Sequence, residues 1–184
     1  MATVKVVLTY DDYAALPNDG LRYELHDGEL SVTPAPGRTH QAILIELGAA
    51  LHAHVRERRL GEVYVAPFDV ILSNVTVVQP DIVFVAHDRL HILAERGAEA
   101  GPTLAVEILS PSTRTIDRTT KLQLYARYRV PHYWIVDPAA RAIDVYRLAG
   151  DAYESPRRFS GDALSDLPPF EDLRLDSTSL WRLC

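Results

Sequence analysis

The chain has 184 residues, 47% hydrophobic and 24% charged, with a formal net charge of -6. That size and balance suit a single domain over residues 1–184, and no apolar run approaches the roughly 20 residues needed to cross a bilayer. The acidic balance argues against a dedicated high-affinity nucleic-acid binder, which carries a basic face, but leaves room for weak or transient contact through a local basic patch.

The opening "MATVKVVLTYDDY" turns acidic at once and lacks the apolar core of a signal peptide. With one cysteine, Cys184, there is no intramolecular disulfide and no cysteine-based metal site, and the expectation is a cytoplasmic protein. "LTYDDYAAL" predicts a short helix capped by Thr9, and "LRYELHDGELSVT" a β-hairpin turning at Asp27-Gly28. After the breaker-rich "TPAPGRTH", the spacing of Ile43, Leu44, Leu47, Leu51 and Val55 predicts an amphipathic helix from His40 to about Arg58.

The period then changes. "EVYVAPFDVIL", "VVQPDIVFVA" and "TLAVEILS" read as three strands, and "RTIDRTTKLQLYARYR" as a second helix ending near Pro131. "HYWIVDP" is an apolar strand of the kind covered on both faces, and "AIDVYRLAG" is another. The tail reads as irregular, with a terminal helical turn. A helix bridging two apolar strands predicts a mixed α/β sheet with helices on its faces, to which the N-terminal hairpin is added. The arginine clusters, Arg56 to Arg59 and Arg114, Arg118, Arg127 and Arg129, read as solvated helix faces and ends.

Three residues could carry chemistry. Glu107 sits inside the apolar run "LAVEILS", where an unpaired charge is costly. It shares a strand face with Ala105 and Leu109. Asp81 follows Pro80 at the start of "DIVFVA", and in-register pairing would bring the two acids together. Two close carboxylates repel unless a cation lies between them, and hard divalent ions prefer such oxygen ligands. Lys121 falls on one helix face with Leu124, Tyr125 and Tyr128, which points it inward. Each has a plainer reading. Asp117 and Lys121 could form a helix-surface ion pair, Asp81 could cap a strand, and Glu107 could pair with an arginine such as Arg114.

At these residues the sequence resembles the Uma2 family within the PD-(D/E)XK nuclease superfamily. The matching pieces are "YELHDGEL", "QPDIVFV", "LAVEILSPST", "KLQLYARYRVPHYWIVDP" and "LPPFEDLRLD". The resemblance implies an α/β, restriction endonuclease-like core in which Asp81 and Glu107 hold one or two Mg2+ ions, with Mn2+ as a substitute. The superfamily's lysine usually stands two residues after the second acid. Leu109 occupies that position here, which suggests that the lysine has moved to Lys121. Glu24 matches the family's "YEL" segment as a further metal or water contact. His40 also fits the pattern, although as a helix-start residue it reads as capping or solvated. Gln123 should point off the lysine's face. Ser110 and Ser112 read as loop-holding residues around Pro111.

The leading expectation is a magnesium-dependent endonuclease acting on nucleic acid, DNA by superfamily analogy. Asp81, Glu107 and the Ile108 carbonyl would hold the ion, which would activate a water, and Lys121 would stabilise phosphate charge. The alternatives are a non-catalytic interaction module on the same fold and a phosphoesterase of small substrates. A homodimer is compatible with a chain of this class. A serine hydrolase and a zinc hydrolase are excluded, because G-x-S-x-G and H-E-x-x-H are both missing.

Overall fold

The computed structural model describes residues 6–161 and 163–184; residues 1–5, which begin the N-terminal segment read above, lie outside the described residues. Helix α1 (Tyr10–Ala14) starts at Thr9, whose N–H and hydroxyl both donate to Asp12 at 2.8 Å. Strands β1 (Arg22–His26) and β2 (Glu29–Thr33) form the predicted hairpin. Asp27 and Gly28 both have positive φ (53° and 81°), as a type I′ turn demands. Helix α2 (Arg38–Arg58) buries all five residues of its predicted stripe.

Two expected strands are divided. "EVYVAPFDVIL" breaks at Ala66-Pro67 into β3 (Gly61–Val65) and β4 (Val70–Ser73), and "VVQPDIVFVA" breaks at Gln79-Pro80 into β5 (Thr76–Val78) and β6 (Ile82–Ala86). Proline has no N–H with which to continue a ladder, and at each break the chain passes from one sheet to another. A 3-10 turn (His87–Ile92), β7 (Leu93–Ala94) and β8 (Gly97–Ala98) lead to β9 (Leu104–Ile108).

The second predicted helix is composite. It consists of α3 (Arg114–Ile116), a π-helical turn (Asp117–Lys121) and α4 (Leu122–Arg127). Next come β10 (His132–Asp137) and β11 (Ala142–Ala149). Strands β12 (Ala152–Tyr153) and β13 (Arg157–Ser160) follow, and the tail from Leu164, expected to be irregular, holds most of β14 (Ala163–Ser165) and all of β15 (Arg174–Asp176) before α5 (Ser177–Leu180), the expected terminal turn.

Among the described residues the central sheet runs β12-β11-β10-β9-β6-β3, with β13 also paired to β11. It is mixed, as expected: β9 and β10 are parallel, joined by the α3–α4 crossover, and the other pairs are antiparallel. The hairpin belongs to a second sheet, β2-β1-β5-β4-β8-β7.

Alternation along β9 defines the layers. Leu104, Val106 and Ile108 join a core with Leu47 and Leu51 of α2, Trp134, and Phe170 and Trp181 of the tail. Ala105 and Leu109 face the other way, into a core with Val70 and Val78 of the second sheet, Leu124 and Tyr125 of α4, and Tyr133. Glu107 shares this second face, so its carboxylate is directed between the central sheet, the hairpin sheet and the composite helix.

Candidate active site

Asp81 lies one residue before β6. Extending the antiparallel register Val83–Ala105 and Ile82–Val106 by one step sets it opposite Glu107. Both acids are 2% exposed. Asp81 Oδ2 accepts from the Ile108 N–H at 2.7 Å and lies 3.1 Å from His40 Nε2, while Oδ1 accepts from Arg22 at 2.8 Å. The Ile108 carbonyl lies on the same strand edge as its N–H, just past the end of β6.

Lys121 is buried and directed at these acids. Its Nζ is 2.9 Å from Glu107 Oε1, 3.0 Å from Glu24 Oε1 and 3.7 Å from Asp117 Oδ1. Tyr125, one helical turn later, donates to the same Glu107 oxygen at 2.8 Å. Glu24 also accepts from the Gln79 N–H at 2.7 Å, which ties the hairpin to the segment entering Asp81. The structure therefore gathers Asp81, Glu107, Lys121 and Glu24, with the Ile108 backbone beside them. Asp81, Glu107, Ile108 and Lys121 line a cavity of about 210 Å³ together with Arg22, His40 and the loop from Thr33 to Gly37, while Glu24 lies behind Lys121.

Several sequence readings need correction. His40 is neither solvated nor a cap; it is buried against Asp81. Its place was legible as one more turn of the stripe through Ile43 and Leu44. Asp117 and Lys121 are not a surface pair, since both are buried. Arg114 does not reach for Glu107: it pairs with Asp137 at 3.0 Å, and Arg118 bridges Asp137 and Asp144. These two arginines are thus anchored rather than simply solvated. Gln123 is exposed, off the lysine's face as expected. Ser110 bonds Ser112 and Thr113 within the loop, in keeping with the structural role read for it.

The residue that sequence reasoning passed over is Arg22. Its guanidinium reaches Asp81 at 2.8 Å and lies 3.8 Å from both Glu24 and Glu107. Four buried or nearly buried acids (Glu24, Asp81, Glu107 and Asp117) thus surround two permanent cations, Arg22 and Lys121.

This imbalance sets the protonation pattern. Burial pushes the Glu107 carboxyl up to about 8; Asp117 and Asp81 push the same way, against the pull of Lys121 and Arg22. Burial likewise raises Asp117. Burial would raise Glu24 too, but Lys121, His26 and Arg22 overcome it and hold that carboxyl below its usual range. Asp81 is also lowered: burial is outweighed by His40, Arg22 and the Ile108 N–H. Lys121 stays charged, because Glu107, Glu24 and Asp117 outweigh the cost of burying it.

The donor chemistry suits a hard divalent cation, since the acids present only oxygen. In the arrangement seen, however, their oxygens are turned toward Arg22, Lys121, His40 and Tyr125. Among the described residues no group of three acidic or histidine side chains is already spaced to hold a metal ion.

Comparison with known proteins agrees with this architecture. Residues 10–178 match the Uma2 family, described as "Putative restriction endonuclease", and the chain belongs to that family. Among solved structures it is similar to a protein from Anabaena variabilis described as "a putative nuclease belonging to DUF820", with a TM-score of 0.78 and 22% identity. The match covers 95% of this chain and 98% of that one. What the two share is the fold, mixed sheets flanked by helices. Among curated proteins no relative matches the chain.

Proposed function

We propose that the protein is a metal-dependent phosphodiester hydrolase acting on nucleic acid, with DNA as the first substrate to test. The observation that carries this reading is the convergence of Asp81, Glu107 and the buried cation Lys121 on one cavity, with Glu24 behind them on the Lys121 ammonium. Asp81 and Glu107, with the Ile108 carbonyl beside them, are the residues that would hold magnesium or manganese. When bound, such an ion would supply positive charge to the phosphate and make a water more acidic.

The remaining roles belong to the chain's own residues. Lys121 is held protonated, so it acts as a fixed positive charge for the phosphate and not as a base. Tyr125 and Lys121 fix the rotamer of Glu107. His40 and the Ile108 N–H fix that of Asp81. Glu24 shares Lys121 with Glu107 and orients the ammonium between them.

The test is calorimetric titration of magnesium and manganese into the wild type, Asp81→Ala and Glu107→Ala, followed by cleavage assays on DNA and RNA panels. Binding and cleavage in the wild type, lost together in both variants, is the expected result. A wild type that binds no metal and cleaves nothing would refute the reading. A second reading, a non-catalytic module, draws on the cations that already satisfy the acids and on Leu109 at the usual lysine position. It predicts a fold unaffected by either metal.

A further inference from the structure

Resting on the metal-dependent reading above, we infer that Arg22 is a resident counter-cation: in the metal-free protein its guanidinium occupies the space between Asp81 and Glu107 that the metal ion takes, and it must withdraw for the ion to enter.

Four observations carry this. The guanidinium is the one cation that touches both proposed ligands among the described residues, at 2.8 Å from Asp81 Oδ1 and 3.8 Å from Glu107 Oε2. Lys121 lies on Glu107, Glu24 and Asp117, and among the described residues it makes no ion pair with Asp81. Without a cation at this point, ionising Glu107 would set two carboxylates facing each other across the sheet with no charge between them, which is unfavourable in a buried setting.

Arg22 is also held loosely for a group so placed. Only Nη1 makes a hydrogen bond, while Nε and Nη2 are buried without such partners among the described residues. A guanidinium built to stay would present its planar fork to a carboxylate in two parallel bonds. Finally, it has somewhere to go. A second cavity of about 530 Å³ adjoins the site on the side of Tyr13 and Gln79, and Arg22, His40 and Asp81 line both spaces. The long arginine stem, 20% exposed, can rotate into it without moving the strand.

A divalent ion entering as one guanidinium leaves adds net positive charge among the same acids, so the exchange is favoured once the ion can be dehydrated. The displaced guanidinium remains at the cavity mouth as a donor fork of the kind that recognises phosphate.

The experiment is manganese titration by calorimetry into the wild type, Arg22→Met and Lys121→Met. Both substitutions remove one positive charge, but only the first vacates the space between Asp81 and Glu107. Arg22→Met is expected to bind manganese at least about tenfold more tightly than the wild type, and clearly more tightly than Lys121→Met. Equal gains in the two variants would reflect charge removal alone and overturn the inference, as would unchanged or weaker binding in Arg22→Met. Binding absent from all three proteins would refute the metal-dependent reading itself. Should Arg22→Met fail to fold without metal, Arg22→Lys serves instead. Its single ammonium cannot span both acids, so it too must bind manganese more tightly than the wild type, and failure to do so overturns the proposal.

Discussion

Lys121 and Glu107 meet at 2.9 Å in the protein interior, the ammonium from a π-helical turn and the carboxylate from the middle of a strand buried on both faces. The contact answers why a charge stands inside "LAVEILS": the acid is held by a lysine and a tyrosine. It also has a cost, because one ammonium serves three acids. Removing it leaves those acids without their shared cation, and Lys121→Met should destabilise the fold by about 3 kcal/mol. Urea unfolding measures this. Adding Glu107→Gln should recover part of the loss, and no recovery in the double variant would contradict the pairing.

The raised carboxyl of Glu107 predicts a pH dependence of stability opposite to that of an ordinary ion-paired acid. Its folded value, about 8, exceeds its ordinary value of 4.5, so between those values the folded state binds more protons than the unfolded state. Stability contributed by this group is therefore complete below about pH 4.5 and declines as pH rises toward 8. Asp117 is raised as well and adds a slope of the same sign. Because His132, which burial lowers to about 4, adds a slope of the opposite sign below about pH 6.5, the Glu107 contribution is read as the difference in denaturant midpoint between wild type and Glu107→Gln across pH 5 to 8, and that difference should fall with pH. The amide of Glu107→Gln mimics the protonated acid and removes this one contribution. An identical slope in both proteins would place the proton elsewhere.

Much of this site was legible from residue spacing, and the exceptions have physical causes. Strand alternation placed Glu107 on the face it shares with Ala105 and Leu109, and helical spacing turned Lys121 inward beside Tyr125. Both readings use only local periodicity, which tertiary contacts here reinforce. Arg22 was missed because its partner Asp81 is 59 residues away, and only the docking of the hairpin sheet brings them together. Asp117 reads as a surface partner because charged i,i+4 pairs are usually solvated, although the same spacing sets it on the inward face of Lys121. The two divided strands hid a change of sheet behind continuous apolar stretches, although Pro67 and Pro80 marked both places.

Tyr125 offers a subtler probe of the same carboxylate. Its hydroxyl donates to Glu107 at 2.8 Å while its ring packs at 4.9 Å from that of Tyr133, so Tyr125→Phe removes the donor and leaves the packing. The loss should be about 1 kcal/mol at neutral pH, a typical net value for a hydrogen bond to a neutral acceptor, since Glu107 is largely protonated there. Without this donor Glu107 should be harder to ionise, and metal affinity at neutral pH should fall several-fold. Calorimetry on Tyr125→Phe tests this, and unchanged affinity would show that the tyrosine contributes only to folding.

The arginine ladder beside the site makes a separate, mechanical prediction. Arg114 and Arg118 fasten the start of the composite helix to Asp137 and Asp144, and Arg158 holds Asp144 through two bonds of 2.6 and 2.8 Å. Arg118 belongs to the π turn that ends in Lys121, so this ladder ties the turn to β10 and β11. The arginines are partly exposed, which screens the pairs, and Asp137→Asn should cost only about 1 kcal/mol. Its sharper signature is local: amide exchange in residues 117–121 should accelerate more than in β9. Cleavage should fall through misplacement of Lys121, with metal binding by Asp81 and Glu107 largely retained. Equal acceleration throughout the chain would mean that the ladder supports the whole fold rather than the turn.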